Sequence, residues 1–473
     1  MSKRDAVVVG AGPNGLAAAI ALRQRGRSVL VIAGAPTVGG GARSAELTLP
    51  GFTHDICSAV YPMALASPFL RSLPLGDHGL EWVHPTFPFA HPLQDGRAAI
   101  SERSIETTAK RLGDDATAYA RLFEKRTADA DKLFGDLLGP LGIPRHPFAA
   151  LRFGLPALRS GRGLAESRFR TEEARALIAG VAAHAVLPLE QRPGAAIALM
   201  LMIAGHAVGW PIVRGGAQRL SDALASYLRL LGGEVVTGQV VKSVDELPPS
   251  RAVFLDVTPR QLVALAGHRL PDRYKRRLGR YRYGPGVFKV DWALSAPIPW
   301  ANAECRLAGT VHVGGTLDEV ADAERAVFEG KHHPRPFVLV AQPSVFDSSR
   351  APAGQHTGWA YCHVPNGSNV DCTAAIEAQV ERFAPGFRDC ILARHTHGPA
   401  ELERYNPNCV GGDVTGGMED LWQLFTRPVV RWSPYTTPNP ELFLCSASTP
   451  PGGGVHGMCG FYAADAALRR VLK

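Results

Sequence analysis

Ala6-Val7-Val8-Val9-Gly10-Ala11-Gly12-Pro13-Asn14-Gly15-Leu16-Ala17-Ala18-Ala19-Ile20-Ala21-Leu22 is the stretch that decides the fold. The β-branched run predicts a short strand, and the Ala-rich run after Gly15 predicts a helix to about Gln24. Gly26 is a helix stop, and Ser28 to Ile32 reads as the next strand. Between strand and helix stands G-x-G-x-x-G, the phosphate-binding turn of a βαβ unit. Gly10 permits the tight turn, Gly12 lets backbone N–H groups approach a pyrophosphate, and Gly15 lets helix and strand pack closely. Pro13 and Asn14 complete the loop at the helix N-terminus, whose positive end favours phosphate.

One expected element is missing. In this fingerprint an Asp or Glu at the end of the second strand hydrogen-bonds the adenosine ribose. Here Val29-Leu30-Val31-Ile32 runs into Ala33-Gly34, with no carboxylate before Glu46. The loss of that acceptor is expected to cost about 1.5–3 kcal/mol of cofactor affinity. An NADP site would instead want an arginine just beyond the strand, where Ala35-Pro36-Thr37 stand.

A second glycine cluster follows, Val38-Gly39-Gly40-Gly41-Ala42-Arg43-Ser44, and then Pro50-Gly51-Phe52 with His54-Asp55. In this order the sequence resembles the phytoene desaturase-related FAD-dependent oxidoreductases of the amine oxidase superfamily. The resemblance extends over nearly the whole chain and is best marked over residues 6–75, 210–260 and 406–468. It implies that Gly40, Gly41, Ala42 and Arg43 lie along the FAD pyrophosphate and ribityl chain, where glycines allow close approach and a guanidinium meets phosphate bidentately. It equates Ala33 with the family's ribose-binding glutamate and places Val241 near the adenine.

Towards the C-terminus, Glu441 to Ser448 reads as a buried strand, and Thr449-Pro450-Pro451-Gly452-Gly453-Gly454-Val455-His456-Gly457 as a glycine loop opening a helix through Leu468. By resemblance, Gly454, Val455 and His456 contact the flavin end of FAD. His456, His54 and Tyr61 are the candidate catalytic side chains, with backbone-contact and packing roles as their competing readings. The fold class is α/β, a Rossmann-like FAD-binding domain in discontinuous segments (1–100, 205–280, 405–473) with a mixed-sheet and helical substrate domain (101–204, 281–404). Within the latter, residues 105–187 read as helical, Pro140 to Pro156 as a Pro-rich loop, and Ala195 to Trp210 as a buried apolar helix.

Composition removes other classes. Fifty glycines and 37 prolines in 473 residues stay below the disordered range. A net charge of +8 is spread along the chain, so no nucleic-acid partner is expected. Eight cysteines form no C-x-x-C pair. His332-His333 and His395-x-His397 have no cysteine or carboxylate at matching spacing, so no metal is assigned. No segment has the length of a membrane span, Met1 to Asp5 lead directly into the first strand without a signal peptide, and a cytoplasmic location is expected. The function expected is FAD-dependent hydride removal from a C–C or C–N bond of a small, moderately apolar molecule. Two alternatives stand beside it, a non-redox isomerase or cyclase on the same fold and a flavin-free binding protein resembling the Rab GDP dissociation inhibitors. Ala33→Glu should tighten FAD binding roughly tenfold or more, the lower end of that hydrogen-bond range. An unchanged dissociation constant in equilibrium titration would show that other contacts compensate.

Overall fold

The computed structural model describes residues 4–140 and 142–473. Its first sheet has five parallel strands in the order Leu442–Leu444, Ser250–Leu255, Arg4–Val9, Val29–Ile32, Glu234–Val236. Apolar runs without polar alternation, such as Ala6 to Val9, suit this sheet because helices cover its faces, among them Pro13–Arg23, Ala217–Leu230 and Met458–Leu468. The α/β class and the discontinuous cofactor-type sheet therefore stand as read from the sequence.

The second sheet has seven strands, Ile391–His397, Gly286–Leu294, His356–Val364, Val338–Ala341, Ala308–Val313, Phe87–Pro92, Ala98–Ser101. All its pairings are antiparallel except that of Ala308–Val313 with Phe87–Pro92. The division at residue 100 expected from the sequence falls inside this sheet. Pro88 and Pro92 hide the strand, since proline is uncommon in sheet interiors. The two-residue period sorts Gly286–Leu294 cleanly. Phe288, Val290, Trp292 and Leu294 join a core with Ile376, Val380 and Phe383 of helix Thr373–Phe383, and Lys289 and Asp291 fall on the opposite face.

The helical insertion is as expected over 105–187, with one correction. Pro147–Ala157 is a helix, although Pro140 to Pro156 reads as a loop. Pro147 occupies a first-turn position that needs no N–H. Pro156 leaves the Arg152 carbonyl without its helical donor, and the Arg126 guanidinium supplies two bonds in its place, at 3.0 and 2.6 Å. The apolar window forms helix Gly194–Ala207, whose buried His206 bonds Tyr119 Oη at 2.8 Å. No helix among the described residues is long and apolar enough to cross a membrane.

A buried ion network ties the segment between strands Val338–Ala341 and His356–Val364 to the hairpin strand Thr53–Asp55 and the start of helix Ala217–Leu230. Arg350 donates to Asp55 (3.1 Å), Asp347 (3.0 Å) and the Val213 carbonyl (3.0 Å), and all three charged side chains are fully buried. The carboxylates in turn accept the N–H groups of Ala217 and Gly215, both at 2.7 Å, which fixes the start of helix Ala217–Leu230. Arg350→Met should lower stability by about 3–5 kcal/mol, because two buried carboxylates lose their counter-charge. Equilibrium denaturation at neutral pH measures this, and a loss below about 1 kcal/mol would show that the network carries no net charge interaction.

Candidate cofactor and substrate site

At the mouth of the first strand, two glycine loops and the last helix meet with almost no side chain between them. A Cβ at Gly15 would lie 2.2 Å from the Gly10 carbonyl, so helix and turn approach as the fingerprint requires. Gly39 N–H donates to Ala11 O at 2.7 Å, and a Cβ at Gly40 would sit 3.1 Å from Gly12 Cα, stacking the second cluster on the first. Ala42 is anchored from behind, its carbonyl accepting Ser221 Oγ at 2.7 Å. Arg43 donates to Gly40 O at 2.9 Å and lies 4.1 Å over the Tyr405 ring, whose hydroxyl also donates to Gly40 O. From the C-terminal side, a Cβ at Gly460 would fall 1.8 Å from the Asn14 carbonyl. Asn14 Oδ1 is buried without a hydrogen-bond partner among the described residues.

Helix Pro13–Arg23 has glycine at its N-cap and no side-chain cap of its own. Asp256, at the end of strand Ser250–Leu255, provides one, accepting the Gly15 N–H at 3.1 Å. Burial pushes this carboxyl up to about 7 against the pull of the Gly15 and Gly12 N–H groups. Ala33 ends the other neighbouring strand, buried, with its N–H on Val236 O and its carbonyl on Gln239 N–H. The site thus has a carboxyl under the phosphate loop and none at the position where the ribose would be held. Sequence reasoning missed Asp256, which nothing local marks because it comes from 241 residues away.

The facing wall belongs to the second sheet. Lys289 is buried and pairs with Asp291, and its ammonium lies 5.5 Å from the centre of the Trp359 ring. Register sets Tyr361 and His397 on either side of Lys289, and Trp359 and His395 on either side of Asp291. His54 packs from below, its Nδ1 3.6 Å from Asp291 Oδ1 and its Nε2 2.8 Å from Thr48 Oγ1. Burial lowers His54 to about 3 and His397 to about 4, helped in each by the Lys289 charge, so both imidazoles are neutral. The same two causes lower His395. Burial lifts Asp291 to about 6 against Lys289, and lowers Lys289 itself. Cys57 joins the halves, since its thiol feels the Lys289 charge and would touch a Cβ at Gly41, 3.8 Å away.

The sequence has no carboxylate at matching spacing to His395 and His397, yet the register brings Asp291 to them, and ligand-type atoms of the three lie within 4.8 Å of one another. The Lys289 ammonium already balances Asp291 and would repel a dication, so we read the trio as hydrogen-bonding groups and assign no metal. Tyr61 lies closer to the glycine cluster. Its hydroxyl donates to Ser58 O at 2.8 Å, and Ser58 Oγ donates to Gly41 O at 3.1 Å. His456 is buried, with Nδ1 accepting the Met458 N–H at 3.1 Å and Nε2 unpartnered among the described residues. Gly454 and Val455 flank it on the loop, exposed and half-buried respectively, and Val241 is half-buried beside the first sheet.

Residues 8–71 match the family model for an NAD(P)-binding Rossmann-like domain. Pyridine nucleotide-disulfide oxidoreductase domain-containing protein 2 of Mus musculus is 26% identical over 561 aligned residues, 98% of this chain and 93% of its own, and the Rattus norvegicus protein matches equally. Among solved structures, an oxidoreductase from Methanosarcina mazei superposes with a TM-score of 0.67 at 16% identity, covering 98% of this chain and all of its own. Putrescine oxidase bound to putrescine gives 0.63 at 20%, and cyclohexylamine oxidase from Brevibacterium oxydans 0.60 at 14%, each over 99% of this chain and at least 99% of its own. The chain has the amine oxidase fold. The Rossmann match covers the two glycine loops, and the likeness runs through both sheets of that fold.

Because the fold holds Asp256 protonated above its ordinary value of 3.8, the stability it contributes is complete below that value and is lost as pH rises towards about 7. Asp256→Asn, which mimics the protonated form, should therefore gain stability over the natural chain steadily from about pH 4 to 7 and level off above. Denaturation at several pH values reads this directly. A difference that does not change with pH would mean that Asp256 ionises as an ordinary surface carboxyl does.

Proposed function

We propose that this chain is an FAD-dependent oxidoreductase that moves a hydride from a C–C or C–N bond of a small, moderately apolar substrate to the flavin. One observation carries the reading. Bare backbone from two glycine loops and from Gly460 of the last helix converges on the N-terminus of helix Pro13–Arg23, and a wall bearing a buried lysine faces it. The residues present fit a dinucleotide. The positive end of helix Pro13–Arg23 suits the pyrophosphate even with Asp256 on the Gly15 N–H, Arg43 supplies a cation beside Gly40, and the unpartnered Asn14 Oδ1 and His456 Nε2 offer further contacts. Gly10, Pro13, Gly41, Ala42, Val241, Gly454 and Val455 complete the proposed contact set. Bound FAD would supply the two-electron acceptor that no side chain can replace.

The chain's own part is placement and proton control. Lys289 Nζ donates to Asp291 Oδ2 in a dry setting, where burial lowers the lysine and raises the carboxyl, which brings their proton affinities closer together. Neutral His54, His395 and His397 line the same wall and orient a substrate by hydrogen bonds without adding charge. His54 acts through Asp291, Tyr61 through Ser58 on Gly41, and His456 by setting the C-terminal loop. The cofactor lobe follows the five-stranded sheet and the substrate lobe the seven-stranded sheet.

Ala33 together with Asp256 under the phosphate loop favours a second reading, a flavin-free binding protein. An absorbance spectrum of the purified chain, with mass analysis of the heat-released supernatant, separates the two. A visible flavin band and released FAD are expected. A colourless protein that stays colourless after incubation with FAD would overturn the oxidoreductase reading.

A further inference from the structure

The face of the seven-stranded sheet turned away from Lys289 carries a second group of reactive side chains. Cys362, on strand His356–Val364, and Cys372, at the N-cap of the eleven-residue helix Thr373–Phe383, belong to one core cluster and line the same cavity. Cys372 Sγ lies 3.6 Å from His332 Nδ1, and His332 Nε2 is 3.0 Å from Ser368 Oγ, which fixes the imidazole against the sulfur. His332, Cys362 and Cys372 all line a cavity of about 210 Å³, with His363 and Asp371 at its margin.

We propose that Cys372 is a peroxide-reactive thiolate and that Cys362 is its resolving thiol. A nucleophile beside an oriented imidazole, at the start of a helix, is the arrangement that activates a cysteine. The two sulfurs are differentiated. The neighbouring Cys362 and the nearby His332 hold Cys372 below the usual thiol range, against burial and the Asp371 carboxylate, whereas the neighbouring Cys372 and burial drive Cys362 well up. Cys372 is thus the more acidic of the two sulfurs. The Cys372 sulfur attacks one oxygen of hydrogen peroxide. An S–O bond forms, the O–O bond breaks, and the departing hydroxide takes a proton and leaves as water. Sulfur loses two electrons and peroxide gains them. The Cys362 sulfur then displaces the hydroxyl from the sulfenic acid. An S–S bond forms, the S–O bond breaks, and the Cys362 proton leaves with the hydroxyl as a second water. The cavity admits a molecule of this size, and the reaction makes no use of the cofactor site.

Exposure alone would choose different cysteines. Cys57 and Cys390 are the partly exposed thiols, yet burial raises both. The full-length protein is treated with a few equivalents of hydrogen peroxide, blocked with N-ethylmaleimide, digested and mapped by mass spectrometry. The expected product is a Cys362–Cys372 disulfide that dithiothreitol reverses. In Cys362→Ser, dimedone should instead trap a sulfenic acid on Cys372. His332→Asn should slow alkylation of Cys372 by iodoacetamide at pH 7 by roughly tenfold, as its thiolate fraction falls. Oxidation of Cys57 or Cys390 ahead of Cys372 would overturn the proposal. So would a dimedone adduct on Cys372 of the natural chain with no disulfide to Cys362.

Discussion

Backbone meeting backbone, with no Cβ between, is the constraint on which the cofactor side of the molecule rests. The last helix crosses the first so closely that Gly460 faces the Asn14 carbonyl, and the first helix meets its own turn where Gly15 faces Gly10. Any side chain at these points would push apart the first and last parts of the chain. The N–H groups of this turn are partly taken up within the protein, that of Gly10 by the Ile32 carbonyl and that of Gly15 by Asp256, so close packing and hydrogen bonding are met by the same residues.

The wall opposite obeys a different rule, set by charge in a dry place. One lysine, one carboxyl and three imidazoles share a small volume, and only the lysine and carboxyl can hold charge there because burial keeps the histidines neutral. Asp256 on the other side is pushed the same way by the same cause. Both halves of the site are therefore places where protons are held at unusual values, which is where chemistry is commonly found in enzymes.

How much of this could be read from the sequence depended on distance along the chain. The βαβ unit, the stacked glycine clusters and the C-terminal loop are local patterns, and their residues lie where their spacing says. Asp256 and Lys289 gave no such signal. Each sits in an ordinary strand context, and becomes notable only when parallel pairing sets Asp256 under Gly15 or antiparallel pairing sets Lys289 against His397. The same holds for Asp291 and His395, brought together by register alone. Helix Pro147–Ala157 was hidden for another reason: its two prolines read as breakers, and the donor that repairs the second, Arg126, lies in another helix.

The strand order of the five-stranded sheet has a consequence for biosynthesis. Two of its inner strands come from residues 4–9 and 250–255, and the strand that completes one edge, Leu442–Leu444, lies almost two hundred residues beyond the second of them. A nascent chain must hold the open side of Ser250–Leu255 unpaired while almost two hundred further residues emerge. Long-range closure of this kind is slow and leaves a strand edge exposed to wrong partners in the meantime. The five-stranded sheet, although begun by residues 4–9, is thus finished only after Leu442–Leu444 has been made.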